Sequence, residues 1–180
     1  MVNNSHNKLQ VYFDLNCPFC FILNNWVQKE NSKIEIEWIG IEHEPDIDLK
    51  NRISENKLNL LKEEVRQAQQ RSEGVKLDLP NYRPNSLLAL ALLYKIEFNF
   101  NKQFVEFKNE LFNSLWLKNL DISQSSVLKE LLKKYSIKIK IEDLRDEQLY
   151  IIQRTIRWRS MQYDRIPMAI SPSSAVYLGL

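Results

Sequence analysis

From Lys8 to Leu15 the apolar Leu9, Val11, Phe13 and Leu15 alternate with Lys8, Gln10, Tyr12 and Asp14, the two-residue period of a strand. A second strand reads from Lys33 to Ile39, with Ile34, Ile36 and Trp38 facing one way and Lys33, Glu35 and Glu37 the other. Between them Phe21, Ile22, Leu23, Trp26 and Val27 recur at helical spacing, and Pro18 suits the first turn of that helix, where a missing N–H is no loss. After Gly40 the pattern turns helical for most of the chain. Leu58, Leu61, Val65 and Ala68 mark one helix, with Gly74 placed to stop it. Pro84 and Asn85 introduce Leu88 to Ile96, apolar nearly all round and so a buried helix. Phe104, Phe107, Leu111 and Leu115 mark another, with Trp116 near its end. Ser123 is placed to cap a helix from Val127 to Tyr135, whose stripe is Leu128, Leu131 and Leu132. The last helix runs from about Glu142 to Tyr163, with Leu149, Ile152, Ile156 and Tyr163 on one side. Past Arg165 the strand signal returns at Ile166 to Ile170, then a turn at Ser171 to Ser174, then Ala175 to Leu178. Two strands at the front and two at the back assemble best as one sheet carrying a helical insertion.

Composition adds bounds to this picture. A chain of 180 residues that is 44% hydrophobic can bury a full core as one domain, or as one domain with a large insertion. Its 25 basic and 23 acidic residues are spread along the length, so the net +2 creates no field that would favour nucleic acid. The first ten residues are polar and show no secretory apolar segment, and no run reaches the roughly eighteen apolar residues of a membrane span. The expectation is a soluble, cytoplasmic protein. That compartment is reducing, which turns a cysteine pair away from a structural bridge and toward catalysis or metal binding.

The chain has two cysteines, Cys17 and Cys20, and they enclose Pro18 and Phe19. Chance would place two cysteines at that separation about one time in ninety. Half of a zinc site is one reading, but the remaining candidates of the usual kind are His6 and His43, and neither has ligand spacing. No metal is expected. Two packed thiols are a second reading, at odds with a strand-to-helix turn. A redox dithiol is the third. Cys17 falls at the start of a helix, where unsatisfied N–H groups and the helix dipole stabilise a thiolate. Cys20, one turn on, is placed to attack a mixed disulfide formed on Cys17.

The stretch Val11 to Cys20, VYFDLNCPFC, resembles the active-site segment of the DsbA-like thioredoxin-fold oxidoreductases, and most of all the cytoplasmic FrnE-type branch with its D-x-x-C-P-W-C motif. The resemblance continues through WIGIEHEPD at Trp38 to Asp46, PNSLLALALL at Pro84 to Leu93, and Phe107 to Ile137. It implies an α/β thioredoxin-like fold with a large all-helical insertion: a discontinuous domain of residues 1–45 and 160–180, and a helical domain of residues 46–159. It implies that Cys17 attacks and Cys20 resolves, with the Cys17–Cys20 disulfide as the only redox group and glutathione as a possible co-substrate. Ile166 and Pro167 fall at the family's cis-proline loop, which with Pro18 and Phe19 would meet the substrate. Asp14 matches an acidic position of the motif, where it can influence proton transfer or simply cap nearby backbone. Phe19 can offer substrate a surface or pack on the insertion.

Two departures from the family bear on function. Arg165 replaces the usual glycine of the proline loop, and the family's final helix has no counterpart before Leu180. An uncovered sheet face leads to the expectation of a homo-oligomer. Arg154, Arg157, Arg159 and Arg165 form a basic run that is either a solvated face or a substrate attractor. The expected partners are protein or small-molecule thiols and disulfides. Two other functions stay open: a glutathione-dependent transferase or isomerase of the kappa type, which usually has serine where this chain has Cys17, and a non-catalytic thioredoxin-fold binding module.

Overall fold

The computed structural model describes residues 7–30, 34–45, 47 and 55–179. A four-stranded sheet carries the ends of the described chain. Strand β1 (Leu9–Phe13) pairs in parallel with β2 (Ile36–Gly40), Leu9 opposite Ile36 and Phe13 opposite Gly40. On its other side β1 pairs antiparallel with β3 (Met168–Ile170), which turns back into β4 (Val176–Leu178), giving the order β2-β1-β3-β4. The crossover from β1 to the parallel β2 is made by helix α1 (Pro18–Lys29). The serine turn closes as expected: Ser174 takes a positive φ of 65° and donates to Ser171 O at 2.9 Å. Val176, Tyr177 and Leu178 of β4 are exposed.

Between β2 and β3 stand α2 (Glu55–Gln70), α3 (Leu87–Asn99), α4 (Asn101–Trp116), α5 (Ser125–Lys134), a 3-10 turn at Ile141–Asp143, and α6 (Arg145–Ser160). Helix α3 is buried on several sides, as its unbroken apolar run requires: Ala89 to Leu93 and Ile96 are all enclosed. Asn85 starts it, its side-chain oxygen accepting from Leu87 N at 3.0 Å. Gly40, at the end of β2, is where sheet and α3 meet most closely; a Cβ there would lie 2.9 Å from Leu90 Cδ2. Helix α4 brings Phe112 against both Phe13 and Phe21, with ring centroids at 5.9 and 6.1 Å. Among the described residues no helix is long and apolar enough to cross a membrane.

Two sequence expectations need correction. Ser123 does not cap α5; the residue before the helix is Gln124, and Ser123 instead donates its hydroxyl to Asp121 Oδ1 at 2.6 Å. Helix α6 is also turned relative to its apolar stripe. Leu149, Ile152 and Ile156 face outward, and the buried side consists of Glu147, Ile151, Thr155 and Trp158. Thr155 explains the choice: its hydroxyl donates to Ile151 O at 2.9 Å and accepts from Glu42 N at 3.0 Å, tying α6 to the segment after β2.

Candidate active site

The turn between β1 and α1 is held from three distant parts of the chain. Trp116, at the end of α4, donates its indole N–H to Leu15 O at 2.9 Å, and Asn16 donates its side-chain amide to Pro84 O at 3.2 Å. The buried Asp14 carboxylate accepts from His43 N at 2.8 Å and from Asn16 N at 3.3 Å. Cys17 is the N-cap of α1, in extended conformation, and Pro18 opens the helix as the first-turn proline. The Cys17 sulfur accepts from Cys20 N at 3.4 Å, within the first turn of the helix. Its thiol form has a second partner, Ile166 O, at 3.7 Å. The Ile166–Pro167 peptide bond is cis, as the family resemblance implies.

Both cysteines are free thiols; Cys17 is 7% exposed and Cys20 fully enclosed. Burial pushes the Cys20 thiol well above its ordinary range, and its hydrogen bond to Cys17 and the neighbouring Cys17 and Asp14 charges push in the same direction, against a smaller backbone contact. Burial likewise pushes the Asp14 carboxyl up, against the hydrogen bonds from His43 and Asn16 that hold it down. The two sulfurs are therefore unequal: Cys17 receives one backbone N–H at the head of α1, while buried Cys20 keeps its proton. That asymmetry is what a two-step exchange needs: an attacking thiolate first, and a second thiol that ionises only for resolution.

A cavity of about 530 Å³ opens over Cys17, walled by Phe19, His43, Arg71, Arg83 and Ile166. Phe19 is partly exposed, and the Arg71 guanidinium lies 5.5 Å from its ring centroid. Arg83 is largely buried and forms ion pairs with Glu44, at 2.6 Å, and with Glu64. Burial opposes its charge, but Glu64, Glu44 and Cys17 outweigh it, so the guanidinium is held more firmly protonated than usual. Its Nε is buried and, among the described residues, has no hydrogen-bond partner.

Of the residues singled out in the sequence, Cys17, Phe19, Ile166 and Arg165 line this cavity, while Pro18 and Cys20 are buried behind it. The basic run does not act as a unit. Arg165 is exposed at the rim; Arg154 stacks 5.1 and 4.8 Å from the Tyr94 and Tyr150 centroids, Arg159 donates to His43 O, and Arg157 is exposed. His43 places its ring nitrogen 3.1 Å from Asp164 O, and His6 lies outside the described residues. Arg71, Arg83 and Glu64 were not visible as site residues. They reach Cys17 through tertiary packing across the insertion, and no spacing in the chain connects them to it.

The DSBA-like thioredoxin domain matches residues 8–151. Among curated proteins no sequence relative is found. Solved structures show the same fold at low identity. A 2-hydroxychromene-2-carboxylate isomerase is 17% identical, with a TM-score of 0.71 over 95% of this chain and 88% of its own. The cytosolic disulfide reductase DsbM from Pseudomonas aeruginosa is 10% identical with a TM-score of 0.71 over the same shares, and its structure with GSH gives 9% and 0.69. With a family match over most of its length and a C-x-x-C pair at the head of α1, the chain belongs to the DSBA-like thioredoxin domain family and is a thiol-disulfide oxidoreductase.

Proposed function

We propose that the chain is a cytoplasmic disulfide reductase that draws its electrons from glutathione. Cys17 thiolate attacks one sulfur of a substrate disulfide, forming the mixed disulfide and releasing a substrate thiolate. Cys20 then gives up its proton, with Asp14 as the nearby buried base, and attacks the Cys17 sulfur. This closes the Cys17–Cys20 disulfide and releases the second thiolate, so two electrons pass from dithiol to substrate. Two glutathione molecules return them and leave as glutathione disulfide.

The observation that carries this reading is one cavity lined by Cys17, by Ile166 before a cis proline, and by Arg83. A tripeptide with two carboxylates suits a site with Arg71, Arg83 and Arg165 around a nucleophilic sulfur. The segment from Asp14 to Cys20, with its likeness to the FrnE-type branch, supports the cytoplasmic assignment. The shared fold of DsbM, a cytosolic disulfide reductase whose structure holds GSH, supports both the compartment and the reductant. The exposed Val176, Tyr177 and Leu178 support a second copy on that edge; a monomer by sedimentation at high concentration removes that part.

The test is insulin reduction driven by glutathione or by dithiothreitol. Cys17→Ser abolishes both. Arg83→Met raises the KM for glutathione about tenfold or more, in keeping with the loss of about 1.5–3 kcal/mol from a charge-assisted hydrogen bond, and affects the dithiothreitol reaction far less. Equal loss with both reductants removes the glutathione assignment. Transferase or isomerase turnover without disulfide reduction moves the chain to the kappa-type reading, which the fold of the isomerase keeps in view.

A further inference from the structure

A second cavity, about 550 Å³, lies between α1, the edge strand β2 and α4, and shares no lining residue with the one over Cys17. Its volume is in the range of small-molecule sites. Val27, Phe104 and Val105 give it apolar walls, and exposed Val105 and Ile34 mark its mouth. Lys108 of α4 lines it while being only 2% exposed. Its amine lies 3.3 Å from the centroid of the Trp38 ring, and among the described residues no carboxylate or hydrogen-bond acceptor pairs with it. Nearby, Asn24 donates its amide to Asn109 Oδ1 at 3.0 Å, but among the described residues its own Oδ1 is buried without a donor.

A buried amine with an empty space beside it and an acceptor left open is a poor device for merely covering a tryptophan. Methionine or leucine would do that without taking a polar group out of water. Burial drives the Lys108 amine well below its ordinary range, so its lone pair is free. Glu37 and Glu97 also line the cavity, with Lys8 as the one other cation among the described residues. Two carboxylates in the wall repel an anionic head group and leave a neutral electrophile as the better fit.

We propose that this cavity takes a small apolar aldehyde and holds it as an imine on Lys108. The Nζ lone pair adds to the carbonyl carbon, and the nitrogen proton passes to the oxygen to give a carbinolamine. Its hydroxyl leaves as water as the C=N bond forms. Nothing is oxidised or reduced. Asn24 lines the same cavity, and Val27, Phe104 and Val105 take the alkyl chain. This site is independent of the redox reading, since its chemistry uses neither cysteine.

The test uses the full chain with Cys17 and Cys20 first oxidised to the disulfide, so that thiols do not consume the reagent. Hexanal with sodium cyanoborohydride reduces any imine to a stable alkylamine, which peptide mass mapping locates. Lys108 is expected to be alkylated at least about tenfold faster than exposed lysines such as Lys118 and Lys129, whose amines are held in ion pairs with Glu110 and Glu142. The label is lost in Lys108→Met and Lys108→Arg, with insulin reduction retained. An unmodified Lys108 in the folded wild-type protein, or labelling no faster than at the surface, overturns the proposal. The deciding measurement is made on the wild-type chain, so an unstable variant leaves the proposal open to refutation all the same.

Discussion

Replacing Lys108 by methionine stabilises the protein, and by an amount that depends on pH in a way that can be worked out beforehand. The lysine is 2% exposed, with its amine against the Trp38 ring. Taking an ammonium out of water costs several kcal/mol, and the face of a desolvated indole returns about 2 kcal/mol. Burial wins, and the amine is held well below its ordinary value of 10.5. Between that lowered value and 10.5 the unfolded chain binds one proton that the folded chain does not. Folding stability then rises with pH by about 1.4 kcal/mol per unit across the window. The contribution is complete above 10.5 and is progressively lost as pH falls toward the folded value. Methionine keeps the length and an affinity for the aromatic ring but has no proton to bind. The gap in unfolding free energy between Lys108→Met and wild type should therefore widen by about 1.4 kcal/mol for each unit the pH is lowered through the window. Urea titrations of both reduced proteins from about pH 9 to about pH 6 read it directly, because Asp14, Cys20 and Glu97 titrate in both and cancel. A gap that stays constant with pH, or a wild type that is the more stable at neutral pH, refutes the reasoning.

Other predictions follow from single contacts. Cys20→Ala leaves Cys17 able to attack but removes the resolving sulfur, so a Cys17–glutathione adduct should accumulate on exposure to glutathione disulfide and appear by intact mass; its absence counts against Cys17 as the attacking residue. Trp116→Phe strips the donor from Leu15 O in the redox turn; it should cost about 1–3 kcal/mol in urea unfolding and lower the rate of insulin reduction, whereas an unchanged rate would mean the turn needs no brace from α4. Gly40→Ala drives a methyl to 2.9 Å from Leu90 Cδ2; a loss of about 1–2 kcal/mol is expected, and no loss would show that α3 yields easily at the sheet.

How much of this was legible in the chain differs by element, for physical reasons. The sheet reads well because β1 and β2 pair in parallel with their alternating faces in register, and because the hairpin of β3 and β4 has its own turn chemistry. The start of α1 reads as well, since Cys17 and Pro18 act through local cap geometry that needs no distant partner. Helix α6 misleads because its inward side carries polar residues held by partners from other elements. Glu147 is paired with Lys95, Thr155 bridges two backbone segments, and Arg154 stacks on two tyrosines; periodicity counts all three as outward-facing. The walls around Cys17 were illegible for a related cause. Arg83 becomes a site residue only when Glu44 and Glu64, far apart in sequence, meet at its guanidinium.

The insertion is therefore more than an addition to a finished redox domain. Helix α4 packs on the redox turn and on the sheet along its inner face. Trp116 satisfies the backbone of the cysteine turn, Phe112 fills the space between Phe13 and Phe21, and Lys108 meets Trp38 of the edge strand. Removing α4 would leave Leu15 O without its indole donor and expose Phe13 and Phe21, two of the largest fully enclosed side chains. The strand-turn-helix opening could still form its own hydrogen bond from Cys20 N to the Cys17 sulfur. It would form it on a turn free to move, and an attacking sulfur must be held within a few tenths of an ångström of its line of approach to gain from orientation. The cysteines are read from ten residues of sequence; the precision that makes them useful is supplied by a helix that begins more than eighty residues later.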